Sequence, residues 1–137
     1  MARKAKALVF DAWSVLAYFE GGPAGQQIAD ILADAHENAT PMMISVVNAG
    51  EVWYILSRET SETEADSSIE ELQRLGVQFI DADWKLAREA ARFKAKNKMS
   101  LADCFAAALT KENKADLVTG DQEFKQVESD MRIAWLK

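Results

Sequence analysis

Four acidic side chains stand where an unpaired carboxylate would be costly. Asp11 closes the apolar run Leu8-Val9-Phe10, and Asp121 follows Leu117-Val118-Thr119-Gly120. Glu51 interrupts the largely apolar stretch from Val46 to Leu56, and Asp103 lies in Ser100-Leu101-Ala102-Asp103-Cys104-Phe105-Ala106-Ala107-Ala108. A carboxylate withdrawn from water needs a positive charge or hydrogen-bond donors beside it. Four that converge would repel one another unless a cation lay between them. Carboxylate oxygens suit hard divalent cations such as Mg2+ or Mn2+. A cation held in this way polarises a phosphate and lowers the pKa of a bound water. The pattern points to metal-assisted chemistry on a phosphate.

Each acid also has a purely structural reading. Asp11 and Asp121 can cap helices that begin at Ala12 and Gln122. Ser100-Leu101-Ala102-Asp103 matches a capping box, with the Asp103 carboxylate reaching back to the Ser100 amide. Glu51 resists such a reading. It falls in mid-helix, and no Lys or Arg occurs between Thr40 and Ser57. Asn48 lies about one turn before Glu51, on the same helix face. All four acids together are harder to assign to caps than any one alone.

The elements that must position them follow from periodicity and breakers. Short apolar runs at residues 6–10, 42–44, 77–80 and 117–118 read as strands. Residues 131–135 read as an edge strand. Helices are predicted over 14–19, 24–37, from Ser45 to about Arg58, from Thr60 or Ser61 to Gly76, over 83–97, from Ser100 to about Lys111, and over 122–127. Strands alternating with helices imply an α/β fold with a mainly parallel sheet. Right-handed crossovers then collect the strand C-termini on one edge, where such sheets bind ligands. Asp11 and Asp121 both belong to that edge. The 137 residues suit a single domain, 1–137.

Composition narrows the chemistry. The net charge of -6 disfavours a binder that relies on a broad basic patch, but not a nuclease whose acidic pocket is inverted by cations. One cysteine, Cys104, excludes an intrachain disulfide and a cysteine-rich zinc site, and His36 alone cannot build a histidine metal site. No apolar run approaches the roughly 20 residues of a membrane span, and the N-terminal apolar stretch is too short for a secretory signal. A cytoplasmic location is expected.

In order and spacing, Val9-Phe10-Asp11, Asn48-Ala49-Gly50-Glu51-Val52, the segment around Asp103, and Thr119-Gly120-Asp121-Gln122-Glu123-Phe124 resemble the PIN domain family. The resemblance is strongest to the VapC toxin ribonucleases of VapBC toxin–antitoxin modules, and it spans almost the whole chain. It implies a three-layer α/β/α fold and Mg2+- or Mn2+-dependent endonucleolytic cleavage of RNA, with Asp11, Glu51, Asp103 and Asp121 as catalytic metal-binding acids. It also implies a small antitoxin partner and a homodimer. Asn48, Thr119 and Ser14 are candidates to orient the carboxylates by hydrogen bonding. The family often carries small hydroxyl residues directly after the first Asp, whereas this chain has Ala12-Trp13 and postpones the hydroxyl to Ser14. Trp13 is the leading candidate to stack on a base. Arg92, Lys96 and Lys98, in the most basic stretch, could guide an RNA backbone. Two alternatives keep the same fold: an RNA-processing nuclease without a toxin role, and a non-catalytic binding module. A phosphoacceptor domain is disfavoured, because Ala12 and Trp13 supply no second acid beside Asp11.

Overall fold

The computed structural model describes residues 4–137. Five short strands, β1 (Leu8–Phe10), β2 (Met42–Ser45), β3 (Val77–Ile80), β4 (Asp116–Thr119) and β5 (Arg132–Trp135), form one sheet in the order β3-β2-β1-β4-β5. Every pairing is parallel, including that of β5, so the sheet is wholly rather than mainly parallel. Side chains alternate between the faces, as the pleat requires. Val9, Met43 and Leu117 enter one core, and Phe10, Ile44 and Val118 enter the other.

Helices cover both faces. α1 (Ala12–Glu20), α2 (Gly22–Glu37), α3 (Val46–Glu59) and α4 (Glu62–Arg74) supply most of one core. The opposite core is built by α5 (Trp84–Lys96), α6 (Leu101–Glu112) and a 3-10 helix (Gln122–Val127). Gly25 permits close packing of α2 on α1, since a Cβ there would press on the Ala17 carbonyl oxygen. The chain steps from β1 to β2 to β3 in one direction, then returns to place β4 on the other side of β1. That reversal makes the gap beyond the C-termini of β1 and β4 a topological switch point, the usual ligand crevice of such sheets.

Most predicted elements differ from the observed ones only at their ends. α1 begins at Ala12 rather than residue 14, because Asp11 is its N-cap and the helix follows immediately. β1 is confined to Leu8–Phe10, and β4 extends on both sides of Leu117-Val118. Ser61, rather than Thr60, caps α4 through the Glu64 amide, 3.1 Å away. No described helix is long and apolar enough to cross a membrane.

Candidate active site

Asp11 is completely buried at the end of β1. Its Oδ1 accepts from the Ser14 amide at 2.8 Å, and its Oδ2 accepts from the Thr119 hydroxyl at 2.5 Å. Ser14 is also fully buried, but its hydroxyl donates to the Asp11 carbonyl at 3.1 Å and not to the carboxylate. Ser14 therefore holds the carboxylate through its amide. Burial pushes the Asp11 carboxyl up to about 6, and the Thr119 and Ser14 hydrogen bonds oppose that rise.

Thr119 works on two acids. Besides donating to Asp11, its hydroxyl oxygen accepts from the Asp121 amide at 3.0 Å. Asp121 caps the 3-10 helix, and its Oδ1 accepts from the Glu123 amide at 2.9 Å. Ser100 caps α6 by accepting from the Asp103 amide at 3.1 Å. Half of the expected capping box is thus made. The Asp103 carboxyl is directed elsewhere, into a shared hydrogen bond with Glu123. Asp103 is pushed up to about 8, first by burial, then by Glu123 and by the charges of Asp121 and Asp11. Carboxylate oxygens of Asp103, Asp121 and Glu123 lie within 4.8 Å of one another.

Glu51 approaches from α3. Burial and the Asp121 charge raise its pKa, and its buried Oε1 has no hydrogen-bond partner. Asn48 is fully buried and donates from Nδ2 to the Ala102 carbonyl at 3.0 Å, next to Asp103, while its Oδ1 also has no partner. The fold therefore brings the four predicted acids into electrostatic contact and adds a fifth, Glu123, which the sequence reading did not single out. Its signal was the Asp121-Gln122-Glu123 spacing, since a tight turn after a strand can bring acids two residues apart to one side. Buried acceptors without donors, beside acids that repel one another, make an oxygen-rich environment fit for a hard divalent cation.

Trp13 lies beside this cluster. The outer edge of its indole rests on Gly120, where a Cβ would overlap the ring, and the side chain remains 39% exposed. The proposed RNA-guiding cations are placed less favourably. Arg92 pairs with Glu89 at 3.7 Å and lines a surface crevice with Lys85, Lys111 and Glu112. Lys96 and Lys98 are exposed near the turn into α6. Trp53 and Trp135 are tied by their indole N–H groups to Asp66 and Glu128, at 2.8 and 3.0 Å. Cys104 is buried, and its thiol is pushed up by that burial. A cleft of about 500 Å³ beside α2 is lined by residues that include Leu8, Ile31, Val118 and Ala134 and contains none of the five acids.

Residues 8–129 match the PIN domain family. The chain belongs to that family. The PIN fold is also that of several solved toxin–antitoxin structures. VapBC2 from Rickettsia felis, bound to a promoter DNA fragment, is similar with a TM-score of 0.73 at 13% identity, covering 96% of this chain and 99% of that one. DNA-bound VapBC from Salmonella typhimurium gives 0.71 at 15% identity, with 93% and 96% covered. Mycobacterium tuberculosis VapC20, a Sarcin-Ricin loop cleaving toxin, gives 0.66 at 18% identity, with 88% and 95% covered. No curated protein matches the sequence. In this PIN domain the acids stand at the switch point that β1 and β4 create.

Proposed function

We propose that this PIN domain is a metal-dependent endoribonuclease and the toxin of a type II toxin–antitoxin pair. The observation that carries the nuclease reading is the convergence of Asp103, Asp121 and Glu123 within 4.8 Å, flanked by Asp11 and Glu51. Asp103, Asp121 and Glu123 would hold the cation, with Asp11 and Glu51 completing the acidic lining directly or through water. When bound, Mg2+ or Mn2+ supplies positive charge for the scissile phosphate and acidifies a coordinated water. Thr119 fixes Asp11 and the Asp121 backbone relative to each other. Asn48, anchored on the Ala102 carbonyl, presents its free Oδ1 as an acceptor. Trp13 offers an aromatic face for an RNA base, and Lys96 and Lys98 supply positive charge near the turn into α6.

The similarity to VapBC structures supports a small antitoxin partner. Such a partner would inhibit most simply by placing an Arg or Lys among the acids, replacing the cation's charge and blocking the phosphate. A homodimer is part of the same proposal, and the exposed Tyr54 and Trp84 supply apolar surface for association. The deciding experiment is RNA cleavage with Mg2+ or Mn2+, run beside Asp103→Asn. Metal-dependent cleavage that the variant loses is expected. Absence of cleavage with either ion, or full cleavage by the variant, would reject the nuclease reading. Light scattering at micromolar concentration tests the dimer. Failure of expression to slow growth, with no small protein co-purifying, would remove the toxin role and leave an RNA-processing nuclease.

A further inference from the structure

The acids of the 4.8 Å cluster come from two segments, the start of α6 and the turn after β4. Besides the hydrogen bond that Asp103 shares with Glu123, Gln126 joins these segments. Gln126 Nε2 donates to the Lys98 carbonyl at 3.0 Å, and its Oε1 accepts from the Lys98 amide at 2.9 Å. A single side-chain amide thereby satisfies both backbone polar groups of a residue 28 positions away. Nε2 also donates to the Glu123 carbonyl at 3.1 Å, which braces the 3-10 helix that carries that acid.

Each end of this clasp leads to a carboxylate. Lys98 lies two residues before Ser100, the residue that caps α6 and receives the Asp103 amide. The intervening Met99 is buried, and its carbonyl accepts from Lys94 Nζ at 2.6 Å, so motion at Lys98 is not absorbed freely within the loop. On the other side, the Glu123 amide holds Asp121 Oδ1, and the Asp121 amide is held by Thr119. When all three are ionised, Asp103, Asp121 and Glu123 repel one another, which tends to push the 3-10 helix away from α6. Gln126 is exposed, so burial of its own surface does not explain its placement.

We infer that Gln126 is a positioning residue that keeps Asp121 and Glu123 at cation-binding distance from Asp103. The inference rests on the metal-dependent reading above, and Mn2+ binding to the full-length protein without RNA tests the two separately. Gln126→Met removes all three hydrogen bonds at nearly constant length, and Gln126→Ala removes them with the side chain. Neither changes the net charge. Both should bind Mn2+ roughly 10-fold more weakly, the lower end of the range for losing a group that orients metal ligands. Cleavage by both should approach the wild-type rate at saturating Mn2+. A merely structural residue would instead lower the metal-free melting temperature and leave the affinity of the folded protein unchanged. Wild-type Mn2+ affinity in either folded variant would overturn the role of Gln126 alone. A wild-type protein that binds no Mn2+ would overturn this role together with the metal-dependent reading.

Discussion

Asp11 and Asp103 occupy the same edge of the sheet, are both buried, and are both pushed up by that burial, yet their surroundings differ in kind. Asp11 meets donors: the Ser14 amide on one oxygen and the Thr119 hydroxyl on the other. Asp103 meets acceptors, namely Glu123, Asp121 and Asp11 itself. One carboxylate is an integrated part of the fold. The other is tolerated by it, and becomes favourable only when a proton or a cation intervenes. The edge therefore combines a rigid anchor with a region of stored repulsion, and the stored repulsion is where binding energy can be recovered.

The largest effect is expected in activity. Asp103→Asn and Asp11→Asn should each reduce RNA cleavage to background while leaving the circular dichroism spectrum unchanged, because an amide keeps the shape and loses the charge. Full activity in both variants would dismiss the proposed site.

Stability should separate the two acids by sign. Asp11→Ala removes the cap of α1 and leaves the Thr119 hydroxyl without its acceptor, so it should destabilise the protein by about 1–3 kcal/mol. Asp103→Ala relieves repulsion and should raise the metal-free melting temperature. Glu51→Gln should do so as well, since it removes a partly buried charge that faces Asp121. Destabilisation of the metal-free protein by both of the latter substitutions would contradict the picture of stored repulsion.

Metal and pH then sharpen the contrast. Saturation with Mn2+ at 100 times its dissociation constant should add about 2.7 kcal/mol to the native state. The two acids have folded pKa values of about 6 and about 8, above the usual carboxylate range near 4. The native state thus holds their protons more tightly than the unfolded chain does. The stability they contribute is complete below about pH 4, and it is lost as pH rises through about 6 for Asp11 and about 8 for Asp103. Metal-free melts should fall across that window. Asp103→Asn should remove mainly the upper part of the fall. A flat wild-type profile, or an unaltered one in the variant, would go against it.

The smallest effect is expected at Thr119. Thr119→Val leaves the cluster's charge intact but frees Asp11 Oδ2 and the Asp121 amide, and it should weaken Mn2+ binding by roughly 10-fold. An unchanged titration would show that the anchor needs no help from β4.

Much of this arrangement is legible in the sequence, because it depends on local pattern. Strand-end acids at 11 and 121, a mid-helix acid at 51 without a neighbouring base, and alternating strands and helices all leave marks within a few residues. What was not legible depends on contacts between distant segments. The Asp103–Glu123 pair joins α6 to the 3-10 helix, and Gln126 reaches back to Lys98. The 3.0 Å pairing of Lys111 on α6 with Glu89 on α5 is decided by how the two helices pack. The place of β4 beside β1, which sets the switch point, is likewise a property of the assembled sheet.

The central pairing of β1 with β4 also bears on when the acid cluster can assemble during synthesis. The hydroxyl that fixes Asp11 belongs to Thr119, 108 residues later in the chain. At about 5–20 residues per second, that interval is on the order of 5–20 s of translation. Throughout it, β1 lacks its β4 neighbour, and Asp121 and Glu123 do not yet exist. The wholly parallel sheet allows no local hairpin to substitute, because parallel neighbours need long crossovers. A nascent chain thus carries an unfinished acid cluster until the turn after β4 has emerged, so the topology itself delays the moment at which the complete cluster can form.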